Sequence, residues 1–216
     1  MWLYLPLDSN EHLVDIWQRR RRFSQEVALI LRTDKGRIGV VGAHLRRSWG
    51  ECSFSLLQQL GEGTTRIFFD ISPYAIRELA FESSMPTSTS TTPTLLEPLS
   101  PYLESTSLEQ YIYTWADLDG IIEVTPCRSI VDSASEIIGL LLRYSNGYRA
   151  SLGQVRLNSL EPPINVGSSR GMWLVFLYDE PHVASISLKC PLQDNPDHHC
   201  LEIAWQGRLE WWFSYR

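Results

Sequence analysis

Cysteine is scarce in this chain. Cys52, Cys127, Cys190 and Cys200 are the only four in 216 residues, and they are too far apart to read as a disulfide framework. That usage fits a reducing compartment. There is no Asn-x-Ser/Thr acceptor site, and no run approaches the roughly 18 apolar residues that a membrane span needs. The opening MWLYLPLDSNEH has neither a basic n-region nor a long apolar stretch before Pro6, so it does not read as a secretory signal. These absences place the chain inside the cell, in cytosol or nucleus, with no membrane partner expected.

The usual signatures of catalysis are also missing. The Gly-x-Ser-x-Gly spacing occurs once, as Gly167-Ser168-Ser169-Arg170-Gly171, but it runs into the apolar stretch MWLVFLYD and not into a helix, so it does not read as a nucleophile elbow, and no cysteine stands in a recognisable nucleophile setting. Gly61-Glu-Gly63 is too short for a phosphate loop, and its glutamate repels phosphate. Gly36, Gly39 and Gly42 fall within a strand pattern and not at a strand-to-helix turn, so they form no dinucleotide fingerprint. The sequence therefore predicts no enzyme and no cofactor.

A net charge of −6 disfavours a general nucleic-acid binder. The charge is uneven: residues 1–47 carry nine Lys and Arg against five Asp and Glu, so the remainder carries −10. Arg19 to Arg22, with Arg46 and Arg47, make most of this basic excess. Such a run suits phosphate contact or nuclear import, but the simpler reading is a solvated loop between two strands.

Aromatics are abundant, with eight Trp, nine Tyr and seven Phe, a load that suits strands. VALILRTDKGRIGVVG (Val27 to Gly42) also lines up without a gap on IGLLLRYSNGYRASLG (Ile138 to Gly153), at a constant offset of 111 residues. Leu29, Leu31, Arg32, Gly36 and Gly42 recur as Leu140, Leu142, Arg143, Gly147 and Gly153. Each copy reads as strand, turn, strand, with Asn146-Gly147 the clearest two-residue hairpin signal.

TRIFFDIS (Thr65 to Ser72) and MWLVFLYD (Met172 to Asp179) read as matching apolar strands. Ser72-Pro73 is placed to cap a brief helix over YAIRELAFE, and LEQYIYTW reads as a helical turn grading into a strand. A weaker third hairpin is predicted from CLEIAW through Gln206-Gly207 to RLEWWFSY.

The stretch from Ser83 to Pro101 is dominated by Ser, Thr and Pro and reads as a linker or long surface loop. The sequence thus predicts an all-β, mainly antiparallel protein with one or two short helices. It divides as a first β repeat over 1–82, a linker over 83–106 and a second β repeat over 107–216. Duplicated hairpins of this kind suit a β-prism-like or β-sandwich build.

The apolar strand, the turn Thr-Asp-Lys-Gly-Arg or Tyr-Ser-Asn-Gly-Tyr-Arg, and a second strand closing on glycine together resemble the hairpin of jacalin-like lectins. Leu29 to Gly42 and Leu140 to Gly153 carry the likeness, with a faint third copy at Ile203 to Phe213 and a similar opening at WADLDG. The resemblance covers about a quarter of the chain and implies a β-prism of hairpins and a sugar ligand. The family's sugar loop, Gly-x-x-x-Asp, occurs nowhere in this sequence.

The function expected is a non-enzymatic binding module, lectin-like with a carbohydrate partner. The alternative is an intracellular protein-interaction or scaffold domain. Candidate contact residues are hairpin-tip Asp34 and Asn146, and above all Trp211 and Trp212. Being adjacent, these two tryptophans cannot both face the core of a strand-built protein. Trp2, Tyr4, Tyr113, Trp115 and Trp205 complete the aromatic set, most of it expected to pack inside. CPLQDNPDHHC (Cys190 to Cys200) holds metal-ligand types, with His198, His199 and Cys200 the weak candidates. Its spacing matches no structural zinc site, so an exposed polar loop is the preferred reading and no metal is expected.

Overall fold

The computed structural model describes residues 4–21, 27–44, 51–60, 66–71, 76–82, 91–101, 103, 111–131, 134–177, 182–191 and 198–214. Among them the protein is almost entirely antiparallel β-structure. A 3-10 turn lies at Leu157–Ser159. The chain divides into two compact units: Asn10–Glu97, and Met1–Ser9 together with Pro98–Arg216. The first nine residues thus belong with the C-terminal unit.

The N-terminal unit holds a four-stranded sheet of β1 (Leu13–Arg21), β2 (Val27–Thr33), β3 (Ile38–Gly42) and β4 (Cys52–Gln59), in the order β3-β2-β1-β4. β2 and β3 are joined by a tight turn in which Gly36 donates to the Thr33 carbonyl at 3.0 Å. Gly36 has φ +78°, a conformation open to glycine at little cost. Ile16, Trp17, Ala28 and Ile30 are buried. Across β1 and β2, the buried Asp15 carboxylate is paired with Arg32.

Two predictions fail in this unit. The basic run is not a solvated loop: Arg19, Arg20 and Arg21 end β1, which is paired on both sides. Arg19 is buried and donates to the Ala43 carbonyl at 2.8 Å, and burial lowers its pKa. Arg22, Arg46 and Arg47 lie outside the described residues. Nor is YAIRELAFE a helix, because Ile76–Phe81 is a strand (β6) paired with β5 (Ile67–Ile71). A lone helix of nine residues is marginal in water. Cross-strand pairing satisfies the same backbone groups against a neighbour already in place.

The C-terminal unit contains β7 (Tyr111–Asp117), β8 (Ile121–Val131), β9 (Ala134–Tyr144), β10 (Arg149–Gly153), β11 (Ile164–Asn165), β12 (Gly171–Leu177), β13 (Val183–Ser187), β14 (His198–Ala204) and β15 (Arg208–Ser214). Seven of these form one sheet, ordered β11-β8-β9-β13-β12-β14 with β10 also on β9. Its core is built on Val124, Leu140, Leu142, Leu152 and Met172, all at 1% exposure or less. At the β9–β10 turn, Gly147 donates to the Tyr144 carbonyl at 3.0 Å. Tyr144 donates its phenol to the Asp117 carbonyl at 2.5 Å, and burial pushes that phenol's pKa up.

The third hairpin predicted from CLEIAW and RLEWWFSY does not form. β14 pairs with β12, and β15 pairs with β7. Residues 205–207 carry the chain from one sheet to the other. Trp205 Nε1 is anchored to Ser169 Oγ at 3.0 Å, and the Gly207 amide to Asp119 Oδ2 at 3.0 Å.

Candidate ligand-binding face

β7 and β15 form a two-stranded sheet in continuous register, from Asp117 opposite Arg208 to Tyr111 opposite Ser214. Alternation then sorts the side chains onto two faces. Ile112, Thr114 and Ala116, with Leu209, Trp211 and Phe213, share the inner face; Ile112 and Ala116 are buried, and Leu209 and Trp211 pack on the core. Tyr113, Trp115 and Asp117, with Arg208, Glu210 and Trp212, share the outer face.

The outer face is held by one carboxylate. Glu210 Oε1 accepts from the Leu99 amide at 2.9 Å and the Tyr113 hydroxyl at 2.7 Å. Its Oε2 accepts from the Ser100 amide at 2.8 Å and the Ser100 hydroxyl at 2.5 Å. Arg208 closes an ion pair to Oε1 at 2.5 Å. Burial acts to raise the Glu210 pKa. The donors from Leu99, Ser100 and Tyr113 outweigh it and hold the group down to about 2. A carboxylate so acidic and so fully engaged is a poor proton acceptor, and its work is to fix Ser100 against the sheet.

The aromatic groups follow from that anchor. Trp212 Nε1 donates to Ser100 Oγ at 2.8 Å, and its ring lies 4.9 Å from that of Tyr113, tilted by 46°. Trp115 is the outward indole, 38% exposed, with the Arg208 guanidinium carbon 5.8 Å from its ring centroid. Asp117, exposed, sits two positions along β7 on the same face and opposite Arg208.

The sequence candidates are scattered. Trp211 points inward and Trp212 outward, and neither is as exposed as Trp115. Asn146 accepts the Tyr148 amide at 3.0 Å, closing its own turn. Asp34, in the other unit, accepts the His12 amide at 3.0 Å. His198, His199 and Cys200 open β14, where His199 is exposed and Cys200 is a half-buried free thiol. Residues 192–197 of the polar loop lie outside the described residues. Among the described residues no group of three or more metal-ligating side chains is assembled.

Sequence reasoning did not single out Ser100, Asp117, Arg208 or Glu210. Asp117 and Trp115 were legible as alternating positions of one strand. Glu210 was not, because its partners Leu99 and Ser100 stand 111 and 110 residues away.

No family model, no curated protein and no solved structure matches this chain.

Proposed function

We propose that this protein is a non-enzymatic binding module built on a duplicated β unit, and that it takes saccharides on the outer face of β7 and β15. The observation that carries the reading is the outward Trp115 indole, with Arg208 and the exposed Asp117 beside it. An indole face packs against the C–H face of a sugar ring, while a carboxylate and a guanidinium bind its hydroxyls. The Glu210 anchor lets the platform be in place before ligand arrives, which lowers the ordering cost of binding.

Register supports the duplication. Moving β2 and β3 by 111 residues carries the pair Leu31–Gly39 onto Leu142–Ala150's strands, and the closing Gly42 opposite Ala28 onto Gly153 opposite Gly139. Moving β1 by 108 carries Asp15 opposite Arg32 onto Glu123 opposite Arg143, and the bulge between Leu13 and Asp15 onto that between Ile121 and Glu123. Gln59 opposite Asp15 corresponds to Asn165 opposite Glu123 in the same way. A kinship with jacalin-like lectins belongs to this proposal, although the proposed face is not that family's Gly-x-x-x-Asp loop.

The test is a glycan array probed with wild type and with Trp115→Ala, each checked for folding by circular dichroism. Binding that is specific in wild type and lost in the variant supports the reading. A blank array for folded wild type refutes the saccharide ligand and leaves a protein partner as the better reading.

A further inference from the structure

One face of β1 carries Asp15, Trp17 and Arg19, set opposite Arg32, Ile30 and Ala28 of β2. All three are buried, at 1%, 5% and 6% exposure. Asp15 is neutralised by Arg32, and the buried Glu11 nearby in sequence is neutralised by Arg37. Arg19 is not neutralised in this way. Its one hydrogen bond among the described residues runs to the neutral Ala43 carbonyl, while Cys52 and the exposed Glu97 act on it through space. Its Nε–H has no acceptor among the described residues, and neither has the indole N–H of Trp17, two positions along the same face. A buried guanidinium without a paired counter-charge and buried donors without acceptors are each costly.

The other unit builds the same strand without that cost. The registers that set Glu123 against Arg143, where Asp15 meets Arg32, bring Thr125 to the position of Trp17 and Cys127 to that of Arg19. Thr125 lies opposite Leu141 as Trp17 lies opposite Ile30, and Cys127 opposite Gly139 as Arg19 lies opposite Ala28. Cys127 is fully buried, burial raises its thiol pKa, and its Sγ accepts the Arg156 amide at 3.2 Å. A buried cation is thus no requirement of this strand, and an unmet polar demand that the fold does not impose marks a place where a ligand belongs.

We infer that Trp17 and Arg19 form a binding site for a small monocarboxylate. Guanidinium and indole N–H groups only donate, so the bound group must accept, and one unbalanced positive charge calls for one negative charge. A carboxylate supplies both, with lone pairs for Arg19 Nε–H and for Trp17 Nε1–H. A dianion would bury a second, unbalanced charge within reach of Glu97, and a neutral hydroxyl would leave the guanidinium uncompensated. On β4 the neighbour of Arg19 is Phe54 and that of Trp17 is Leu56, so the surroundings suit a short apolar tail. Phe54 is 36% exposed, and Cys52, next on the same face, is half-buried, which opens the site towards solvent along β4.

The test is proton–nitrogen correlation spectroscopy of the isotope-labelled full chain at neutral pH. The Trp17 indole cross-peak is assigned by its loss in Trp17→Phe. Sodium acetate, titrated against sodium chloride at equal ionic strength, should move that peak downfield and saturate, half-way at about 1 mM or below, which is within reach of a four-atom ligand. Sodium sulfate, a dianion, should bind at least about tenfold more weakly. Arg19→Gln keeps a donor but loses the charge, and the folded variant should bind acetate about tenfold or more weakly. No saturable shift with acetate, or the same shift with chloride, overturns the inference. So does sulfate binding as tight as acetate binding, or folded Arg19→Gln binding acetate as tightly as wild type. The wild-type titrations decide the matter even where Arg19→Gln fails to fold.

Discussion

Replacing Glu210 by glutamine tests the anchor of the proposed face with a minimal change of shape. The carboxylate accepts from the Leu99 and Ser100 amides, the Ser100 and Tyr113 hydroxyls and the Arg208 guanidinium. A glutamine keeps one carbonyl and turns the other oxygen into a donor that faces donors. The hydroxyls can rotate to accept from it, but the Ser100 amide and the guanidinium cannot. One half-buried amide left unsatisfied, plus the weakened charge-assisted bonds, costs about 2–3 kcal/mol. Because Leu99 is 82% exposed, its amide can turn to water, which keeps the estimate at that level.

The assay is urea unfolding of wild type and Glu210→Gln followed by tryptophan fluorescence. The pH dependence has a definite sign. The native pKa, about 2, lies below the ordinary glutamate value of 4.5, so the stabilisation is fully present above 4.5. It shrinks as pH falls below 4.5, where the unfolded chain takes up the proton first, and is gone below about 2. The wild-type advantage should therefore be constant from pH 7 to 5 and close progressively towards pH 3. An advantage below about 0.5 kcal/mol at pH 7, or one that grows on acidification, refutes the anchor.

Two paired substitutions test how local burial sets the strength of a cross-strand ion pair. Arg32→Met removes the arginine from Asp15, whose side chain is 2% exposed, and should cost about 3 kcal/mol in chemical denaturation. Arg143→Met at the matching position faces Glu123 at 23% exposure, where solvent screens the pair, and should cost clearly less. Equal costs would contradict this burial argument. Gly153 has φ +71°, and an added Cβ would lie 2.5 Å from the Ile138 carbonyl oxygen; Gly153→Ala should lower stability by about 3 kcal/mol or more. Gly147, at φ +85° with nothing within 4 Å of an added Cβ, should lose only about 1 kcal/mol as Gly147→Ala, measured by the same unfolding curves.

What the sequence revealed divides by range. The β2–β3 and β9–β10 hairpins were legible because alternation, the turn residues and the glycines at 36 and 147 lie within one short window. The failures came where a distant partner decided the outcome. Ser72-Pro73 is a sound helix-start signal, yet Ile76–Phe81 pairs with β5. Gln206-Gly207 looks like a hairpin turn, yet its flanking strands belong to β12 and β7. Arg19 sits in a run of four arginines that reads as solvated, but the Ala43 carbonyl, 24 residues on, receives it in the interior. The candidate face shows the same limit. Adjacency correctly implied that Trp211 and Trp212 face opposite ways, but the exposure of Trp115 depends on what β15 sets across from it.

The most direct test of the binding proposal is a titration of the array's strongest saccharide into wild type and Trp115→Ala, followed by isothermal calorimetry. The account predicts one-site saturation for wild type and at least about a tenfold weaker Kd for the variant, in line with losing an aromatic stacking contact. Equal affinities in two equally folded proteins would contradict it and move the ligand away from the β7–β15 face.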